Sequence, residues 1–108
     1  MRRGDIVTVA LQGSHGKPRP ALIMQSDALV DTSHIAVLLL TSGERDAPLL
    51  RIPVPANAST GLHEPSFVMV DRATTAPRAK VRSVIGRIDE ATMVAVTRSL
   101  VLLWGLAS

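Results

Sequence analysis

The spacing of apolar residues changes once along this chain, at Asp89, and that change limits the folds open to it. Before Asp89, short β-branched and aliphatic runs at 6–11, 21–25, 34–41, 49–54, 67–70 and 81–88 alternate with segments rich in Gly, Pro and Ser. That is the punctuation of strands joined by turns. After it, Met93, Val96, Leu100 and Leu103 recur at helical spacing, flanked by Val94, Val101 and Trp104. Asp89 is a natural N-cap, Glu90 sits where the helix dipole favours negative charge, and Gly105 supplies a stop. The stripe is wide enough to predict a helix packed across a small sheet, with Trp104 part of the packing. Short strands followed by one helix read as a mainly β, α+β protein. The expectation is a strongly bent antiparallel sheet or half-barrel with a C-terminal helix, in one domain over 1–108.

Three runs carry more detail. The segment His34–Thr41 is so continuously apolar that it should be buried on both faces or lie at a subunit interface. Pro53 and Pro55 limit pairing of the 49–54 run, as an edge strand tolerates. Gly86 marks a bend in the last run.

Composition excludes several classes of function. No cysteine is present among the 108 residues, so disulfides and thiolate metal sites are ruled out, which fits a reducing, cytoplasmic setting. His15, His34 and His63 are scattered without ligand spacing, so no metal site is expected. No apolar stretch is long enough to span a membrane, and the acid at Asp5 with no apolar run of the required length behind it argues against a signal peptide. The only aromatics are Phe67 and Trp104, too few for a binder that stacks bases on aromatic platforms.

The formal charge of +3 points modestly to an anionic partner, and its distribution says more. From Arg72 to Arg87 lie Arg72, Arg78, Lys80, Arg82 and Arg87 without an intervening acid. Such a run suits contact with a phosphate backbone, and equally a solvated face or a surface for an acidic protein. A second feature is Lys17-Pro18-Arg19-Pro20, immediately before an apolar run. Each proline fixes its own φ and pushes its predecessor toward extended backbone. Arg19 therefore stands on a stiff stalk where a loop becomes a strand. A planar guanidinium held so loses little freedom on meeting a phosphate. Taken alone, the segment reads equally as a proline-rich loop with one solubilising arginine.

In order, these landmarks resemble the MazF/PemK/Kid family of bacterial toxin endoribonucleases. The matching pieces are Arg3-Gly4-Asp5-Ile6-Val7, a Gly-containing loop running into Arg19-Pro20-Ala21-Leu22-Ile23, and an apolar strand ending in Thr41-Ser42. Phe67-Val68-Met69-Val70-Asp71, Ile85-Gly86-Arg87-Ile88-Asp89 and the terminal helix complete the match over essentially the whole chain. The resemblance implies an SH3-like small barrel acting as a homodimer. It implies metal-independent, cofactor-free, sequence-selective cleavage of single-stranded RNA, and inhibition by a cognate antitoxin with a flexible acidic tail. The principal catalytic arginine maps onto Arg19 and its assisting hydroxyl onto Thr41. Lys17, Ser42, Arg72, Arg78, Lys80 and Arg82 are the candidate RNA contacts. The chemistry is accessible to such residues: the 2′-OH of RNA attacks the adjacent phosphorus, leaving a 2′,3′-cyclic phosphate and a 5′-OH. Arg19 suits stabilisation of the added negative charge but, staying protonated, is a poor base.

Two positions depart from the family pattern. The loop before the arginine lacks the usual acid and has His15 near its place, a candidate for proton transfer or a plain solvent-exposed histidine. After Asp71, Thr74 stands where many members have an RNA-binding arginine, with Arg72 two residues early. Strict alternation of side chains would keep Arg72 on the same face. Two other readings stay open at this point: a CcdB-like gyrase-poisoning toxin, suggested by Trp104 near the tail, and a catalytically decayed domain that binds RNA or antitoxin.

Overall fold

The computed structural model of the chain describes residues 1–11, 17–43 and 49–107. The described residues form β1 (Asp5–Val9), β2 (Arg19–Ile23), β3 (His34–Thr41), β4 (Arg51–Val54), β5 (Ser66–Pro77) and β6 (Val81–Arg87). A 3-10 turn at Arg78–Lys80 joins β5 to β6, and α1 (Glu90–Leu103) follows. The strands make one antiparallel sheet in the order β4-β5-β3-β2-β1-β6.

The apolar run of β3 is buried on both faces, as its composition requires. Leu38 and Leu40 join Ile6, Leu22, Val54 and Val68 in one cluster, which Ile88 and Val96 of the helical end complete. Ile35 and Val37 join Val7, Val9, Ala21, Ile23 and Ala76 in a second cluster on the other face. Each fully buried Val, Leu or Ile contributes about 1.5–3 kcal/mol of transfer free energy. A sheet with two apolar faces must therefore bend until both are covered.

Irregular pairing produces that bend. Leu38 pairs with Ala73 but Leu40 pairs with Val68, so the long β5 carries extra residues opposite Leu39. Against β1, β6 shifts register between Ile6 and Val7 and again between Thr8 and Val9. Extra residues of this kind raise local twist and let a strand turn a corner. β5 also runs well past Asp71, where the sequence suggests only a cationic segment, because Ala73, Thr74, Thr75 and Ala76 continue pairing with β3.

Among the described residues the barrel is not closed by strand pairing, since β4 and β6 remain edges. The connection after β4 bridges the gap. The Arg87 N–H donates to the Ser59 carbonyl at 2.8 Å. Gly86 proves to be a site of close approach: a Cβ there would lie 2.2 Å from the Thr60 backbone. Gly61, with φ near +69°, meets the Ile85 carbonyl, where a Cβ would come within 1.8 Å. Both glycines let two backbones pack together where the ladder is missing.

The Asp89 carboxylate caps α1, accepting the Thr92 N–H at 2.7 Å. Hydrogen bonding from Thr92 holds that carboxyl below its ordinary value of 3.8. At the other end, the Gly105 N–H donates to Leu102 and the Leu106 N–H to Val101, a Schellman closure with Gly105 at φ near 70°. Val96 is fully buried and Met93 and Leu100 pack on the first cluster. The predicted stripe is wider than the face that is covered: Val94, Leu103 and Trp104 are exposed, Trp104 by 56%. Trp104 is thus a half-exposed residue at the edge of an apolar groove with Leu100, Met24 and Ala36, not a core side chain. Arg3 ties helix to sheet through Nη1 to the Met24 carbonyl at 2.6 Å and Nη2 to Thr97 Oγ1 at 2.9 Å. No helix of the described residues is long and apolar enough to cross a membrane.

Candidate active site

At the end of the sheet where β2 begins and β3 finishes, a cleft of roughly 370 Å³ opens. Its lining from β1, β2 and β3 is Thr8, Arg19, Pro20, Leu40 and Thr41, with Pro18 just before β2 and Ser42 just beyond β3. The rest comes from the connection into β5, Gly61 to Glu64, from Ser66 at the start of β5, and from Ile85 of β6. Thus the gap that strand pairing leaves open is also where a ligand can enter.

Arg19 is the first residue of β2 and pairs with Val9 of β1. Its exposed side chain takes part in neither ion pair of the described residues. On the other side, β2 pairs with β3 through Ala21–Leu39 and Leu22–Leu38. Two further steps along this register bring Arg19 level with Thr41, and both line the cleft. Thr41 Oγ1 already accepts the Gly43 N–H at 3.0 Å. That bond orients the hydroxyl oxygen and leaves its O–H free to donate to an anion. A cation carried on a paired strand and an oriented hydroxyl donor in the same cleft suit the oxygens of one phosphodiester.

The other expected contacts are placed less uniformly. Lys17 is exposed two residues before Arg19, and Ser42 lines the cleft mouth. Lys80 and Arg82 are exposed on either side of Val81, which pairs with Val9 on the edge opposite Arg19. Two strand spacings, about 10 Å, therefore separate that pair of cations from Arg19 at the backbone. Arg72 is exposed in the irregular stretch of β5 between Val68 and Ala73, so the alternation argument linking it to Thr74 does not hold. Thr74 itself faces the groove beside Leu100 and Trp104. Arg78 is occupied elsewhere: Nε donates to the Thr32 carbonyl at 2.9 Å and Nη2 to the Val30 carbonyl at 3.0 Å. Arg87 leaves the cationic run as well, pairing with Asp5 at 2.7 Å. His15 lies outside the described residues.

Sequence reasoning missed Thr8, His63, Glu64 and Ser66. Thr8 comes from β1 and Ser66 from the start of β5, while His63 and Glu64 follow the 57–62 connection that docks on β6, a contact between segments more than twenty residues apart that no local spacing announces. The same reasoning did not foresee the ion pair of buried Arg51 with Asp71, in which Arg51 Nη1 donates to the Asp71 carboxylate. Among the described residues no group of three or more His, Asp or Glu side chains is set to hold a metal ion.

The arrangement is that of a small bent-sheet protein with a cleft that holds an arginine and a hydroxyl from adjacent strands. Residues 2–104 match the family described as the PemK-like, MazF-like toxin of type II toxin–antitoxin systems, and the chain belongs to that family. It is 44% identical over 108 residues to the probable endoribonuclease MazF of Mycolicibacterium smegmatis, covering 99% of both chains. Solved structures share the fold. A toxin MazF of Mycobacterium tuberculosis aligns with TM-score 0.82 at 24% identity, over 96% of this chain and 99% of that one. An endoribonuclease in complex with its cognate antitoxin from a mycobacterial species aligns with TM-score 0.81 at 23% identity, over 100% and 98%. A MazE–MazF structure from Deinococcus radiodurans gives TM-score 0.80 at 20% identity, over 99% and 97%.

Proposed function

We propose that this chain is a sequence-selective endoribonuclease toxin that cleaves single-stranded RNA, acts as a cytoplasmic homodimer and is silenced by a cognate antitoxin. The observation that carries this reading is the pairing of Arg19 and Thr41 in one cleft of a MazF-family chain. The 2′-OH attacks the neighbouring phosphorus while the P–O5′ bond breaks, giving a 2′,3′-cyclic phosphate and a 5′-OH. Arg19 neutralises charge building on the non-bridging oxygens, the contribution that usually dominates such a site. Thr41 donates its O–H to the same phosphate and fixes its orientation. Because Arg19 supplies the positive charge, cleavage needs no divalent ion and proceeds in excess EDTA. Lys17, Lys80 and Arg82 are the exposed cations best disposed to hold flanking phosphates, and an acidic antitoxin tail would compete for them.

The test is cleavage of a long RNA by the purified chain in EDTA, with 5′-ends mapped. Discrete cuts support the reading. Intact RNA together with trapped DNA–gyrase complexes would instead support the CcdB-like reading, which nothing in the cleft favours.

A further inference from the structure

The cut described above must remove a proton from the 2′-OH, and neither Arg19 nor Thr41 can take it. Arginine stays protonated in proteins, and a threonine hydroxyl is no base near neutral pH. Among the described residues lining the cleft, two further side chains titrate, His63 and Glu64. We infer that His63 is the proton acceptor of this reaction, an inference that rests on the ribonuclease reading.

The connection that carries His63 is held in place. The Gly61 N–H donates to the Asn57 carbonyl at 2.9 Å, and buried Thr60 donates its hydroxyl to the Pro55 carbonyl at 2.7 Å. Past the histidine, buried Ser66 donates its hydroxyl to the Glu64 carbonyl at 3.0 Å. Gly61 rests on the Ile85 carbonyl with no room for a Cβ. A residue three places after one anchor and three before the next cannot swing far from the cleft. His63 is exposed and has no hydrogen bond to another described residue, so its ring is open to substrate.

Chemistry separates His63 from its neighbour. A neutral imidazole accepts a proton at one ring nitrogen while the other remains an N–H donor, so one ring can both take the 2′-OH proton and return one, whereas an ionised carboxylate only accepts. Among the described residues, the charged side chains that share the cleft with the imidazole are Arg19 from β2 and Glu64 on the same connection. In the step, the 2′-OH proton passes to the neutral ring as the O2′–P bond forms and the P–O5′ bond breaks. The departing O5′ takes a proton from a solvent water, and the imidazolium proton then neutralises the hydroxide left behind. No oxidant, metal or net water is consumed.

The measurement is single-turnover cleavage in EDTA of an oligonucleotide carrying one ribonucleotide at the mapped cut site, from pH 5 to 9. Wild type, His63→Asn, Glu64→Gln and His15→Asn are compared, with affinity read on the all-deoxy analogue. His63→Asn should slow cleavage roughly a hundredfold or more. It should also abolish the rise in rate on the acid side, while affinity stays within threefold. The inference is overturned if His63→Asn keeps the acid limb and a rate within threefold of wild type. Disappearance of that limb in Glu64→Gln or His15→Asn alone overturns it too, by assigning the proton elsewhere. Failure of the parent reading looks different: wild type then cuts at no pH.

Discussion

Gly61→Ala should be far more damaging than Gly105→Ala, although both glycines have nearly the same backbone angle, φ +69° and +70°. Placing an L-residue in that left-handed region costs about 1–2 kcal/mol. At Gly105 nothing lies within 4 Å of an added Cβ, so this conformational cost is the whole effect. At Gly61 the Cβ would stand 1.8 Å from the Ile85 carbonyl oxygen, a backbone atom that cannot rotate away. The connection must lift off β6. Lifting it breaks the Arg87–Ser59 hydrogen bond, about 0.5–1.5 kcal/mol, and pulls half-buried Leu62 from the first cluster, about 1 kcal/mol more. The sum is about 2.5–4.5 kcal/mol, a large share of the roughly 5–15 kcal/mol typical of a domain. Urea unfolding with an unchanged m value measures both variants. A Gly61→Ala midpoint equivalent to within about 1 kcal/mol of Gly105→Ala would refute the claim that this connection closes the open side of the sheet.

Three further outcomes are expected. Asp71→Ala leaves the guanidinium of Arg51, 8% exposed, without its carboxylate. Because Asp71 is itself one-third exposed, the loss should be about 1–3 kcal/mol by urea unfolding, below that of a fully buried pair. Thr41→Val should slow RNA cleavage roughly tenfold to a hundredfold at unchanged stability, while Thr41→Ser, which keeps the hydroxyl, stays near wild type. Asp89 is stabilised in its charged form by Thr92, so its folded pKa lies below 3.8. Its contribution is complete above that value and lost as pH falls through the depressed one. The stability gap between wild type and Asp89→Ala should therefore be constant at neutral pH and shrink below about pH 4.

Much of the fold was legible because it follows from local rules. The continuous apolar run of β3 announced a strand buried on both faces, Pro53 announced an edge, and Asp89 and Gly105 bracketed the helix. Arg19 stood out because two prolines set its backbone. What stayed hidden depends on contacts made at a distance. The register jump opposite Leu39 moves Arg72 off the alternation expected of it, and a bulge leaves no mark in composition. Gly86 does sit at a register shift of β6, and it also serves a close approach to Thr60, which only the docked connection reveals. Arg78 looked like a free cation until the loop carbonyls of Val30 and Thr32 were found on it. His63 is ordinary in sequence and becomes interesting only once Gly61 seats its connection beside Arg19.

The central claim is that Arg19, rather than a metal ion, supplies the positive charge at the reacting phosphate. Wild type and Arg19→Ala should be compared on one RNA in excess EDTA, with product ends identified by mass. The account predicts undiminished cleavage by wild type to a 2′,3′-cyclic phosphate, and a loss of roughly a hundredfold or more in Arg19→Ala with unfolding behaviour unchanged. Cleavage by wild type that stops in EDTA, or a variant that still cuts at full rate, would contradict it.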